Sequence, residues 1–272
     1  MEEKGKVLRL VTCGKTDKGL VRKENEDHFC IEKDLGLLAV ADGMGGHASG
    51  EVASKMAIDN LREYFKEKKE LPIDAHDPRY SEITNRISSG VKVANQAIYE
   101  ASRSRSHWNG MGTTLSAVLV SENRLSIAHV GDSRIYLIRG GVIEQITDDH
   151  TIVFEQVARG LMTREEAARS EMRNILSRAL GIAPEVDVDI EELTVSKGDK
   201  LVICSDGLSE LVSDNEMLSE VQSSKSPEKV CDELVNLANQ RGGEDNITVI
   251  VAFLHGESLV FRLLKVLGWR RR

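Results

Sequence analysis

No stretch of this chain approaches the roughly 18 consecutive apolar residues that a membrane-spanning helix needs. Its opening residues, MEEKGKVLRLVTCG, lack the long apolar region of a secretory leader. The expectation is a cytoplasmic protein without a membrane span. Cysteine is sparse: Cys13, Cys30, Cys204 and Cys231 are scattered, with no C-x-x-C pair, so they read as reduced thiols rather than a disulfide framework or a thiolate metal site. Positive charge is in deficit, with 36 Lys and Arg against 44 Asp and Glu and a formal net charge of −8. Such a surface repels nucleic acid and anionic lipid over most of its area, and no nucleic-acid partner is expected. Internal repeats and low-complexity segments are also missing. What is present, 40% hydrophobic and 29% charged residues over 272 positions, describes an ordinary globular chain long enough to bury a large core. We expect a monomer.

Short apolar runs recur at 36–41, 113–120, 125–130, 134–140, 200–205 and 246–254. They are rich in β-branched residues and bounded by Gly, Asp or Asn, which favours strands. Several are apolar on both alternating faces, as in sheets covered on both sides. The sequences SENR (121–124) and GDS (131–133) read as hairpin turns, so the strands they join should be antiparallel. Helical spacing appears through Val52, Met56, Ile58, Leu61 and Phe65, and more regularly through Ile83, Ile87, Val91, Ala94, Ile98 and Ala101. Ser226 before Pro227 is a helix start, followed by Val230, Leu234 and Leu237. Runs of strands with helices between them do not match regular β-α-β alternation. The expected architecture is α+β: a four-layer α-β-β-α sandwich of two antiparallel sheets flanked by helix pairs.

The placement of the acids carries the most information. Asp42 ends LLAVAD, Asp132 follows IAHVG, Asp206 follows LVICS and Asp245 immediately precedes NITVIVA. Each has a glycine within two residues (Gly43, Gly131, Gly207, Gly243), which keeps the backbone clear of a carboxylate pointing into a cleft. One Asp-Gly corner is an ordinary turn. Four that converge would repel unless cations sat among them, and oxygen ligands without His or Cys select Mg²⁺ or Mn²⁺ over zinc. Near the N-terminus, Arg22-Lys23-Glu24-Asn25-Glu26-Asp27 reads either as a solvated charged loop or as a phosphate-gripping arginine with two more acids for the cation shell.

Taken together, RKENED, VADGMGGHASG, GMGTTLSAVLV, AHVGDSRIYLIRGG, ITDDHT, RNILSRALG, LVICSDGL and GGEDNITVIVA occur in the order found in the PPM (type 2C) metal-dependent protein Ser/Thr phosphatases. The chain resembles their bacterial branch from about residue 9 to 254. The resemblance implies the layered fold already expected and a site for two Mg²⁺ or Mn²⁺ ions, with a third, weaker ion. By position, Asp42 resembles the carboxylate shared by both metals and the Gly43 carbonyl a ligand of the second. Asp206 and Asp245 resemble ligands of the first, and Glu26 acts on the second, supported by Asp27. Asp132 matches the residue that joins Asp206 at the third ion. Arg22 matches the arginine that binds substrate phosphate, so Asp42 and Arg22 are the expected catalytic pair. Asn246 is expected to support its turn.

The implied reaction is hydrolysis of phosphoserine and phosphothreonine by an activated water, reversing a Ser/Thr kinase. No cysteine has an arginine six positions on, so a cysteine-dependent phosphatase is excluded. Rival readings are a phosphatase of an anti-anti-sigma-factor pathway and a silent phosphoprotein-binding module. Several eukaryotic members carry histidine directly after the Asp-Gly pair as a proposed general acid; here that residue is Met44, and His47 reads as structural. His129 and Cys204 read as core residues and His150 as a loop anchor. One phosphatase domain is expected over 1–255. Within it, a flap at about 150–175 holds a helix, a break at Gly160 and a second helix started by Thr163. The tail 256–272 is basic and amphipathic, with Arg262, Lys265 and Arg270 to Arg272. It reads as a terminal helix or as a peripheral contact for membrane or a partner kinase.

Overall fold

The computed structural model describes residues 8–45, 49–67 and 77–256. His47 and the basic tail 258–272 lie outside the described residues. Strands β1 (Leu8–Asp17), β2 (Asp27–Glu32) and β3 (Leu37–Met44) precede helices α1 (Ser49–Lys66) and α2 (Glu82–Ser104). Then come β4 (Gly112–Thr113), β5 (Leu115–Ser121), β6 (Arg124–Val130), β7 (Arg134–Arg139) and β8 (Val142–Gln145). The short helices α3 (Ile152–Ala158) and α4 (Arg164–Arg169) lead to β9 (Asp189–Thr194) and β10 (Lys200–Cys204). The described residues end with α5 (Asp206–Ser209), α6 (Asp214–Ser223), α7 (Pro227–Gln240) and β11 (Ile247–Gly256).

The strands form two sheets, one in the order β1-β11-β10-β7-β8 and the other β2-β3-β5-β6-β9, with β4 added to β3. The pairings are antiparallel. Period-two alternation divides each central strand between two cores. On β3, Leu37, Ala39 and Ala41 face α1 and α2, whereas Leu38 and Val40 meet Ile203 and Ile250 of the other sheet. On β11, Val249 and Val251 pack beneath α7 with Leu234 and Val235. The four layers expected from both-sided burial are therefore present. Each fully buried Leu or Ile at these faces contributes roughly 1.5–3 kcal/mol.

The helix starts follow their local chemistry. Ser226 Oγ accepts from the Lys229 amide ahead of Pro227, and Thr163 forms a reciprocal capping box with Glu166. Gly160, at φ 69°, separates α3 from α4. SENR is a tight antiparallel turn, with Ser121 opposite Arg124. GDS corrects our reading. It is not a hairpin, because β6 and β7 belong to different sheets. Gly131, at φ 111°, turns the chain across the edge of the sandwich instead. The β1–β2 connection makes the same crossing, since its two strands also lie in different sheets. These two crossovers carry Asp132 and the Arg22–Glu26 segment.

Candidate active site

Six of the acids picked out from the sequence come together where the sheets meet. Asp42 lies on β3, directly opposite Asp27 on β2 in the antiparallel register. Asp206 opens α5 after β10, and Asp245 stands just ahead of β11. Arg22, Glu26, Asp42, Gly43, Asp132, Asp206, Asp245 and Asn246 all line one cleft of about 600 Å³. Only glycine fits at two of its corners. A Cβ on Gly43 would lie 2.1 Å from the Gly50 carbonyl oxygen, and one on Gly207 would lie 2.1 Å from the Asn246 carbonyl oxygen. The second close approach is what brings the Asp206 and Asp245 corners side by side.

The backbone of Asp42 is locked before its side chain does anything. Its amide donates to Thr114 Oγ1 at 2.9 Å, and its carbonyl accepts from the Thr114 amide and from Thr113 Oγ1, both at 2.8 Å. Burial, followed by the charges of Asp27, Asp206, Asp132 and Asp245, pushes the Asp42 carboxyl well above the usual range. Burial does the same to Asp206, reinforced by Asp132 and Asp245. Burial raises Asp132 to about 7, with Asp149 adding to it. Asp27 is raised to about 6 by burial, although Thr248 and Ser205 bond to its carboxyl. Glu26 is raised more modestly, again by burial first.

Carboxyls pushed up by burial and by one another's charge are short of positive charge. The buried Asp27 Oδ1 and Asp206 Oδ1 have no hydrogen-bond donor, which leaves the Asp206 oxygen free to act as a ligand. Asp42, Asp206, Asp245, Asp132, Glu26 and the Gly43 carbonyl are hard oxygen donors of the type Mg²⁺ and Mn²⁺ require, so the donor set fits divalent cations. Among the described residues, no three Asp, Glu, His or Cys side chains close on a single point in ligating geometry; the acids line a common cleft and repel.

Arg22 occupies the same cleft, but its partner is protein: Nη2 donates to Asp245 Oδ2 at 2.6 Å. Burial alone would favour the neutral guanidine; Asp245, Asp42 and Asp206 outweigh it and hold the group charged. Asn246 does more than steady its own turn. Its Oδ1 accepts from the Glu26 amide at 2.8 Å, and its Nδ2 donates to the Lys18 and Glu24 carbonyls at 2.9 Å each. One amide thus holds the loop that carries Arg22 and Glu26. Asn246→Ala is expected to cost about 2–3 kcal/mol in urea unfolding, at about 1 kcal/mol per bond lost. It should also lower kcat/KM on a phosphothreonine peptide by roughly tenfold or more, as for other supports of a metal site.

Several site residues escaped the sequence reading. Ser205 Oγ donates to Asp27 Oδ2 at 2.8 Å, and Thr114 fixes Asp42 from the neighbouring strand. His150 is the anchor its motif suggested. Its Nδ1 accepts from the Gly131 amide at 3.0 Å, its own amide donates to the Gly131 carbonyl at 2.7 Å, and its carbonyl accepts from Ser177 at 2.8 Å. It therefore ties the Asp132 crossover to the far wall of the cleft. Arg134 grips Asp149 through Nε and Nη2 beside Asp132. The GMGTT and DDHT motifs were visible signals for Thr114, His150 and Asp149, but their partners depend on strand register. His129 and Cys204 are buried, as expected.

The model of the family described as protein phosphatase 2C matches residues 19–251. The serine/threonine phosphatase stp of Listeria monocytogenes is 38% identical over 240 residues, covering 87% of this chain and 93% of its own. The solved structure of Stp1 from Staphylococcus aureus superposes with a TM-score of 0.82 at 36% identity, covering 94% of this chain and all (100%) of that one. The catalytic domain of a serine/threonine protein phosphatase PstP, solved in complex with two manganese ions, superposes with a TM-score of 0.79 at 38% identity, covering 92% of this chain and 100% of that one. On the extent of these matches and the shared fold, the chain belongs to the protein phosphatase 2C family.

Proposed function

We propose that this protein is a Mg²⁺- or Mn²⁺-dependent phosphatase that hydrolyses phosphoserine and phosphothreonine in proteins, including a Ser/Thr kinase and its substrates. The observation that carries this reading is the gathering of Asp42, Asp132, Asp206, Asp245 and Glu26 in one cleft that also holds Arg22. Asp42, Gly43, Asp206, Asp245 and Glu26 would hold two cations, and Asp132 with Asp206 a third, weaker one. When bound, such ions supply an activated water and neutralise the phosphate dianion.

The chain's own residues supply orientation and charge. A phosphomonoester dianion resists attack by an anion, so a fixed positive group beside it lowers the barrier. Arg22 is that group: its planar fork suits two phosphate oxygens, and binding substrate exchanges the Asp245 oxygen for phosphate oxygens. Asp27, held by Ser205, and Asn246, which pins the loop, keep the acids and the arginine in place. Residue 44 is methionine, so no side chain there donates a proton to the leaving alkoxide. We assign the segment at about 150–175 as a flap over the cleft within a phosphatase domain of 1–255, and 256–272 as a separate basic tail. The reading also includes a cytoplasmic monomer. Among the described residues, no helix is long and apolar enough to cross a membrane.

The test is phosphate release from a phosphothreonine peptide and from p-nitrophenyl phosphate, with Mn²⁺ and with EDTA. Mn²⁺-dependent release that EDTA abolishes supports the reading; equal rates under both conditions refute it. Arg22→Ala is expected to lower kcat/KM on the peptide by about a hundredfold. Mn²⁺ affinity measured by calorimetry should hold or rise, because a cation has been removed from among the acids.

A further inference from the structure

The cleft has one wall of a different kind. Beside its acids it is lined by Met44, Ile175 and Ile182, and the two isoleucines are 46% and 51% exposed. Met44 Cε and Ile182 Cδ1 converge on Gly112: a Cβ built there would lie 2.7 and 3.0 Å from them. The exposure does not come from a loose backbone. The Leu176 backbone pairs with Thr151, the Ser177 amide donates to the His150 carbonyl, and Leu180 exchanges both of its backbone bonds with Thr113. The Gly181 amide donates to Asn95 Oδ1 at 2.8 Å. A segment pinned at the Leu176 bridge, at Leu180 and at Gly181 presents Ile175 and Ile182 outward at fixed positions. The rim continues past the cleft on the side of Arg22, where Leu20 and Val21 are 68% and 66% exposed and both amides donate to the Gly243 carbonyl.

Apolar side chains kept in water beside an ionic cleft mark a surface that something covers. What covers them must also reach the cleft, because the same cavity contains the wall and Arg22. We infer that Met44, Ile175 and Ile182 form a specificity wall that takes a hydrophobic side chain adjacent to the phosphorylated serine or threonine of the substrate. This inference rests on the phosphatase reading and adds to it a sequence preference. The occupant is a phosphoprotein segment in extended form, with its phosphate at Arg22 and an apolar neighbour on the wall. Pre-organised apolar contacts of this kind act mainly through KM. Met44 then has a role that suits its chemistry, as a flexible thioether that adapts to different apolar neighbours.

The test compares two phosphothreonine peptides, identical except that the residues on either side of the phosphothreonine are valine in one and serine in the other. Wild-type protein with Mn²⁺ is expected to prefer the valine peptide by roughly tenfold or more in kcat/KM. In Ile175→Ser, Ile182→Ser and the double variant, the ratio should fall toward one. The ratio is the readout, so a general loss of activity in a variant cancels. Both isoleucines are exposed, and substitutions there should leave folding intact. A wild-type ratio near one overturns the wall, as does a ratio that survives in the double variant. Sedimentation at several concentrations adds a further check: association that Ile182→Ser abolishes would assign the wall to a second copy of the chain and also overturn the inference. If wild-type protein cleaves neither the peptides nor p-nitrophenyl phosphate, the phosphatase reading itself fails, and the wall fails with it.

Discussion

Asp42→Asn is expected to lower kcat/KM on phosphothreonine peptides by about a thousandfold or more and, in EDTA, to make the protein more stable. The two effects have one cause. Asp42 is half-buried among Asp27, Asp206, Asp132 and Asp245, all of which disfavour its charge. Replacing the carboxylate with an amide of the same shape removes like-charge repulsion and supplies N–H donors to neighbouring carboxylates. Relieving an uncompensated buried charge is worth about 1–3 kcal/mol, or several degrees in Tm for a domain of this size. The same substitution removes the carboxylate we assign to both cations. Kinetics with Mn²⁺ and a thermal melt in EDTA check the two effects separately. An inactive variant whose Tm falls in EDTA would mean that Asp42 stabilises the fold and is not strained by its neighbours.

The second large effect is a reversal in the pH dependence of stability. Carboxyls with raised folded-state values bind more protons when folded than when unfolded. Their stabilising contribution is therefore complete below the ordinary carboxylate value and is lost as pH rises through the folded value. Asp27 at about 6 and Asp132 at about 7 set this window, and the raised Asp42 and Asp206 add to it. In EDTA, Tm should fall between pH 5 and pH 8 by roughly 5 °C or more, from a loss of about 2 kcal/mol. Saturating Mn²⁺ should reverse the slope, because cations favour the ionised acids. At a hundred times its dissociation constant, each ion adds about 2.7 kcal/mol. Melts at four pH values with and without Mn²⁺ measure the crossing; parallel curves would rule out a cation-loaded acid cluster.

The site was legible in the sequence because its chemistry sits at strand ends, where a run of apolar residues stops on an acid beside a glycine. Asp42, Asp206 and Asp245 needed no tertiary information to stand out, and the caps at Thr163 and Ser226 followed from local rules. The crossing at GDS was not legible. A short hairpin and a glycine-turned crossover look alike until it is known which sheet the next strand joins. Strands β1, β2, β8 and β9 were also missed, since their burial is partial and β9 is an acidic edge strand. Ser205 and Asn246 show the limit most clearly. Ser205 reaches Asp27 across 178 positions, and Asn246 reaches Glu26 across 220, so neither role follows from neighbouring residues. Met44 stood out in the sequence as a departure from the eukaryotic pattern. Its proximity to Ile182 over Gly112 turns that departure into a feature of the cleft wall.

The most direct measurement is Mn²⁺ binding by isothermal titration calorimetry at pH 6, in two buffers of different ionisation enthalpy, for wild type and Asp42→Asn. Acids whose protonated form burial and like charges favour must give up protons to bind cations. Wild type should therefore bind two ions, with a third more weakly, and release at least about one proton; Asp42→Asn should lose the tight binding. No binding at millimolar Mn²⁺, or equal stoichiometry and affinity in the two proteins, would contradict the assignment of this cleft as a divalent-cation site.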